Sequence, residues 1–114
     1  MKAYILSNCT TCQRILKEVE WKGEIHDIKS EGIPVSLLDK LKENHDSFES
    51  LFSRRAMKYK SMGLKNQTLS EEDYKRLILE EYTFLKRPVF IIGNESFVGN
   101  SKKVVASLKD SLDR

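Results

Sequence analysis

Two cysteines, two prolines, two histidines and one tryptophan are all that this 114-residue chain holds of the residues that most often cross-link, kink or ligate. Two cysteines are too few for the disulfide framework that braces small secreted folds, and the spacing Cys9-Thr10-Thr11-Cys12 is too close to join distant segments. The histidines, His26 and His45, have 18 residues between them, far more than the intervals of zinc motifs. The cysteine pair therefore lacks the second half of a tetrahedral set, no metal is expected, and each histidine reads as a surface side chain. Long apolar runs are also missing. Ala3-Tyr4-Ile5-Leu6 and Pro88-Val89-Phe90-Ile91-Ile92 fall well short of the ~20 residues that span a bilayer, and Met1-Lys2 opens no signal-peptide pattern. Neither a membrane segment nor secretion is expected, and the cytoplasm is the expected compartment. There a close cysteine pair is more often redox-active or metal-binding than structural.

Neither sign of charge dominates. Twenty Lys and Arg against 17 Asp and Glu leave +3, and with 39% hydrophobic and 32% charged residues the composition excludes a disordered or fibrous chain. The length suits one domain and leaves no room for a second catalytic one. The basic residues do cluster. Between Leu51 and Ser70 no acidic residue occurs, while Arg54, Arg55, Lys58, Lys60 and Lys65 all fall inside. Phe52 and Tyr59 are available there to stack on bases. A pI of 8.8 and the lack of any helix-turn-helix or zinc-finger pattern nevertheless argue against direct nucleic-acid binding.

What is present is a pattern of elements. Residues 2–6 are short and apolar, which predicts a buried first strand ending where the cysteines begin. Ile15, Leu16 and Val19 recur at helical spacing from Thr11 to Trp21, with Gly23 as the stop. Residues 24–28 predict a second strand. Gly32-Ile33-Pro34 predicts a turn, after which Ser36 caps a short helix carrying Leu37, Leu38 and Leu41. Ser70-Glu-Glu-Asp73 opens a further helix with Tyr74, Leu77, Ile78 and Tyr82 on its inner face. Val89–Ile92 and Phe97-Val98, joined through Gly93-Asn94, predict a hairpin, and Ser101 caps a last helix through Val104, Val105, Leu108 and Leu112. The predicted order is β-α-β, an inserted helical region, then β-β-α.

Chemistry concentrates at the exit of the first strand. A cysteine just before a helix has free backbone N–H groups and the positive end of the helix dipole at its sulfur, and both favour the thiolate. Cys9 is so placed. Cys12 lies one turn on and on the same face, within reach of a disulfide, so the two suit a nucleophile and a resolving partner. The competing reading is a pair of inert small hydrophobes, against which the polar Thr10-Thr11 spacer argues. Arg54, Arg55 and Arg87 are the anion-binding candidates, because a guanidinium offers forked donors to oxyanions and carboxylates. For Arg54 and Arg55 a solvated basic loop competes with that role. Arg87 precedes a proline at a strand start, where no ladder hydrogen bond is lost and a cis peptide can occur.

Ser7-Asn8-Cys9-Thr10-Thr11-Cys12, then Phe52-Ser53-Arg54-Arg55-Ala56 through Tyr59 and Gly63-Leu64, then Lys86-Arg87-Pro88-Val89, stand in this order around a helical insert. With them nearly the whole chain resembles the arsenate reductase (ArsC) and Spx family, a branch of the thioredoxin-like fold. The resemblance implies a single α/β thioredoxin-like domain over residues 1–114. It makes Cys9 the nucleophile, places Asn8 and Arg87, with Arg55 or Arg54, at an anion beside it, and puts a cis bond before Pro88. The chain departs at Val98-Gly99-Asn100, where the glutathione-linked reductases carry a further arginine and Asn100 stands instead. Cys12 is shared with the Spx-type regulators, in which the pair is a redox switch. Two functions are implied. One is a thiol oxidoreductase with no bound cofactor, reducing arsenate or a disulfide such as a glutathione adduct, with glutathione, glutaredoxin or thioredoxin as partners. The other is an Spx-like regulator that binds RNA polymerase through its alpha subunit.

Overall fold

The computed structural model describes residues 1–114, which divide into two compact units: residues 1–32 with 87–114, and residues 33–86. The predicted order of elements is the one observed.

The first unit is built on a four-stranded sheet in the order β2-β1-β3-β4, with β1 Lys2–Ile5, β2 Glu24–Asp27, β3 Val89–Ile92 and β4 Glu95–Val98. β1 runs parallel to β2, pairing Ile5 with Asp27, and antiparallel to β3, pairing Ala3 with Phe90. The parallel pair requires a crossover, which α1 (Thr10–Glu18) supplies. Side chains alternate between faces along a strand, so Ala3 and Ile5 share one face of β1. They join Phe90 of β3, Cys12, Ile15 and Leu16 of α1, and Val105 and Leu108 of α6 (Lys102–Leu112) in one core. Tyr4 points to the opposite face and stacks on His26, ring centroids 5.1 Å apart. His26 is therefore not the surface side chain its sequence context predicts. A quarter exposed, it also meets Glu31 through Nδ1 at 2.8 Å.

α1 ends earlier than the apolar spacing predicts. Glu20 takes a left-handed φ of 55°, the Trp21 N–H bonds Leu16 O at 3.0 Å, and the Glu20 N–H bonds Lys17 O at 3.2 Å. These are the two hydrogen bonds of a Schellman motif, which closes the helix before Trp21 without glycine. Gly23 has a different task. A Cβ there would lie 2.7 Å from both Cβ and O of Met1, so only glycine lets the chain pass. β2 likewise stops at Asp27, because that carboxylate caps α2 (Ile28–Glu31) by accepting the Lys29 N–H.

The second unit is the helical insert. It holds α3 (Val35–His45), α4 (Met57–Ser61) and α5 (Glu71–Glu80), linked by turns of 3-10 helix. α3 starts two residues before the expected Leu37, with Pro34 at its N-cap and no side-chain cap, so Ser36 lies inside the helix. Pro34 has no N–H to satisfy and its φ is already fixed, which suits a helix entry. α5 carries the cap its sequence predicts. Ser70 Oγ accepts the Asp73 N–H, and Asp73 returns the bond to the Ser70 N–H. Tyr82 falls beyond α5, in the turn Tyr82–Phe84. Phe52 is buried among Phe84, Tyr74 and Tyr59, with centroids 4.8, 5.0 and 6.0 Å away, so it is unavailable for base stacking. A single antiparallel bridge, Phe52 to Leu85, ties the two sides of the insert together.

No helix is long and apolar enough to cross a membrane, and no three His, Cys, Asp or Glu side chains are grouped to hold a metal ion.

Candidate functional site

β1 delivers the chain to Leu6, and the turn Leu6-Ser7-Asn8-Cys9 closes with the Cys9 N–H bonded to Leu6 O at 3.0 Å. Cys9 is the N-cap of α1, with extended φ and ψ of −89° and 109°. A cap side chain normally supplies an oxygen to the first free amides of a helix; here the sulfur fills that place, accepting the Cys12 N–H at 3.4 Å. Both thiols are free, Cys9 half-buried and Cys12 with none of its surface exposed.

This difference in surroundings separates the two acidities. Partial burial works to raise the Cys9 pKa, yet the Cys12 N–H and thiol, the Arg87 charge and the Thr11 N–H together outweigh it and bring the thiol below its ordinary range. Each of those groups lowers the free energy of a negative sulfur. Cys12 moves the other way. Burial pushes it up to about 11, opposed by a backbone hydrogen bond at Leu6 and reinforced by the neighbouring Cys9. The fold therefore favours ionisation at Cys9 and opposes it at Cys12.

The sequence-predicted residues within this unit take definite places. Arg87 is partly buried, its Nε inaccessible to solvent, and its charge acts on both thiols. The Arg87–Pro88 peptide is cis, and Pro88 O accepts the Gly99 N–H at 2.9 Å. Asn8 is exposed in the turn before Cys9, and Asn100 is exposed directly before Ser101, whose Oγ caps α6 through the Val104 N–H.

Arg54 and Arg55 belong to the insert. Arg54 donates from one Nη to Glu49 at 2.7 Å and to the Tyr74 hydroxyl at 3.1 Å, with its guanidinium 5.9 Å from the Tyr74 ring centre. Its charge is thus largely answered within the insert, and Lys58 is paired with Glu81 at 2.7 Å. The run of basic residues that looks uncompensated in sequence is partly neutralised by acids from outside it. Arg55 is exposed and forms no ion pair, which leaves it the more available of the two.

Sequence reasoning missed the groups that hold the cysteine turn. Ser7 Oγ donates to Asp27 Oδ2 at 2.5 Å, and Gln13 Nε2 donates to Ser7 O at 3.3 Å. The one legible signal was an aspartate at the end of a strand just before a helical turn, a capping position.

Comparison with known proteins bears on the whole chain. The model of the ArsC family matches residues 4–108. No curated protein matches. Among solved structures, SACOL0876 from Staphylococcus aureus COL is 27% identical with a TM-score of 0.73, over 93% of this chain and 95% of that one. An arsenate reductase from Vibrio cholerae superposes with a TM-score of 0.77 at 16% identity, over 94% and 97% of the two chains. An arsenate reductase (ArsC) related protein from Brucella melitensis does so at 0.68 and 21% identity, over 99% and 94%. The last two likenesses concern the fold, and they agree with the thioredoxin-like arrangement that the family resemblance implies. With the sheet, the cysteine turn and the cis Arg87–Pro88 bond accounted for, and a family match from residue 4 to residue 108, this chain belongs to the ArsC family.

Proposed function

We propose that this chain is a thiol oxidoreductase in which the Cys9 thiolate attacks an oxidised substrate, either arsenate or a disulfide such as a glutathione adduct. The observation that carries the reading is the Cys9 sulfur at the head of α1, accepting the Cys12 N–H within the field of Arg87. With a disulfide, the thiolate bonds to one sulfur, the S–S bond breaks and the other sulfur leaves as a thiolate that takes up a proton. With arsenate, the thiolate displaces hydroxide and forms a sulfur–arsenic bond. A second thiol then attacks the Cys9 sulfur. The pair of electrons in the sulfur–arsenic bond passes to arsenic, which becomes arsenite, and the two thiols are left as a disulfide.

Cys12 supplies that second thiol in this proposal, with glutathione as the external alternative and glutaredoxin or thioredoxin restoring the reduced enzyme. The burial of Cys12 fits a resolving thiol better than a first nucleophile, since it keeps its proton until a neighbouring reaction draws it out. Arg87 steadies the oxyanion or the glutathione carboxylates through charge-assisted hydrogen bonds. NADPH oxidation coupled through glutathione, glutathione reductase and glutaredoxin tests the reading with arsenate and with a mixed glutathione disulfide. Turnover by the native chain and none by Cys9→Ser is expected; turnover that survives Cys9→Ser excludes it.

A second reading is favoured by the presence of Cys12 itself. In it the Cys9–Cys12 pair acts as a redox switch in an Spx-like regulator that binds the alpha subunit of RNA polymerase. Direct binding of the purified subunit that changes on oxidation, with no turnover of either substrate, selects this reading.

A further inference from the structure

Between β1 and α1 the chain has only the turn Leu6-Ser7-Asn8-Cys9 in which to reach the cap geometry that puts the Cys9 sulfur over the Cys12 N–H. Ser7 is held at two points from outside that turn. Its hydroxyl donates to Asp27 Oδ2 at 2.5 Å, and its carbonyl accepts from Gln13 Nε2 at 3.3 Å. Asp27 is itself fixed. It is the last residue of β2, in register with Ile5, and its other oxygen, Oδ1, accepts the Lys29 N–H at 3.0 Å. One carboxylate thus caps α2 and grips the cysteine turn, while the second turn of α1 grips the same residue from the other side.

We propose that Ser7, gripped by Asp27, is a positioning residue for Cys9: the pair fixes the turn that sets where the sulfur stands at the head of α1. The inference rests on Cys9 being the nucleophile, and it adds residues that touch neither substrate nor sulfur. A hydrogen bond to a carboxylate is about twice as strong as a neutral one, so the grip is of the kind that can hold a turn. The bond also holds the Asp27 carboxyl below its usual range, as a hydroxyl donating to the ionised carboxylate does. Without the grip the turn samples other φ and ψ values, the sulfur spends less time on the Cys12 N–H, and the thiolate loses stabilisation.

The test is the pH profile of Cys9 alkylation by iodoacetamide, read separately for each cysteine by mass spectrometry, on the full chain. Ser7→Ala is expected to raise the Cys9 midpoint by about half a unit to one unit, a threefold to tenfold loss of rate below the midpoint. Asp27→Asn keeps a good cap for α2 but offers Ser7 a neutral acceptor, so a smaller rise is expected. Ser7→Thr keeps the hydroxyl and is expected to restore the native profile. The double variant should resemble Ser7→Ala alone, because both changes remove one interaction.

The sign of the Asp27→Asn effect is diagnostic. Loss of a nearby negative charge would by itself lower the Cys9 midpoint, whereas loss of positioning raises it. An unchanged midpoint in folded Ser7→Ala, or a lowered one in Asp27→Asn, overturns the proposal. Should Ser7→Ala fail to fold, the comparison of Asp27→Asn with Ser7→Thr decides, and equal midpoints overturn it. If Cys12 is the faster thiol in the native chain, it is the assignment of the nucleophile that fails, and the native profile alone reports that.

Discussion

Cys12 gives its backbone N–H to the Cys9 sulfur at 3.4 Å while its own thiol is fully buried. Within one helical turn the same residue favours a thiolate at Cys9 and, through its burial, disfavours one on its own sulfur. The helix start does the first and the hydrophobic core under the sheet does the second, so the asymmetry comes from where the fold puts each sulfur and not from the motif.

Alkylation should expose that asymmetry. Between pH 6 and pH 8 iodoacetamide is expected to modify Cys9 at least about tenfold faster than Cys12, since one thiol lies below its ordinary range and the other well above it. Mass spectrometry of partly modified protein checks this, and equal rates would place the two sulfurs in equivalent surroundings.

Arg87 is expected to act on the sulfur as well as on substrate. Arg87→Ala should raise the Cys9 midpoint by roughly half a unit or more, because a positive charge that favours the thiolate is lost. Arg87→Lys should recover much of the midpoint but only part of the turnover, since lysine keeps the charge and loses the forked donors. A midpoint unmoved by either change would remove Arg87 from the neighbourhood of the nucleophile.

Stability should fall in alkali for a reason that lies in Cys12. Its folded pKa of about 11 stands above the ordinary 9.0, so the folded state holds the proton more tightly than the unfolded state. The stabilisation is full below about pH 9 and is lost as the pH rises through about 11, by roughly 2–3 kcal/mol for a shift of that size. Urea denaturation of the reduced protein at several pH values, against Cys12→Ala, measures the effect. Parallel slopes for the two proteins would show that Cys12 contributes nothing to it.

Arsenate chemistry, where the chain performs it, should be limited by Asn100. An amide donates hydrogen bonds to an oxyanion but brings no charge, and charge-assisted bonds are about twice as strong. Asn100→Arg is expected to lower the arsenate KM and raise kcat/KM in the coupled NADPH assay. Strong native turnover at low arsenate would show that no arginine is needed there.

The cysteine turn was legible because its signals are local: a short apolar run, a polar break, then helical spacing. The hairpin and the Ser70 and Ser101 caps were legible for the same reason. The end of α1 was not, since a glutamate adopted the left-handed conformation that glycine usually marks, and Gly23 was instead fixed by its contact with Met1. Ser36 misled because Pro34 already started the helix. The pairing of Arg54 with Glu49 and Tyr74, and of Ser7 with Asp27, joins residues that no periodicity connects, and only the fold brings them together.

The sulfur cap of α1 also bears on how readily Cys9 gives up what it binds. A thiol of lowered pKa is a better leaving group, so any disulfide formed at Cys9 is cleaved more easily when the partner sulfur is attacked. The helix start that favours the thiolate stabilises the reduced protein relative to its disulfides, and the reduction potential of Cys9 rises with each hydrogen bond its sulfur accepts. In the proposed reaction, adducts at Cys9 are therefore short-lived, which suits a thiol that must be released before it can act again.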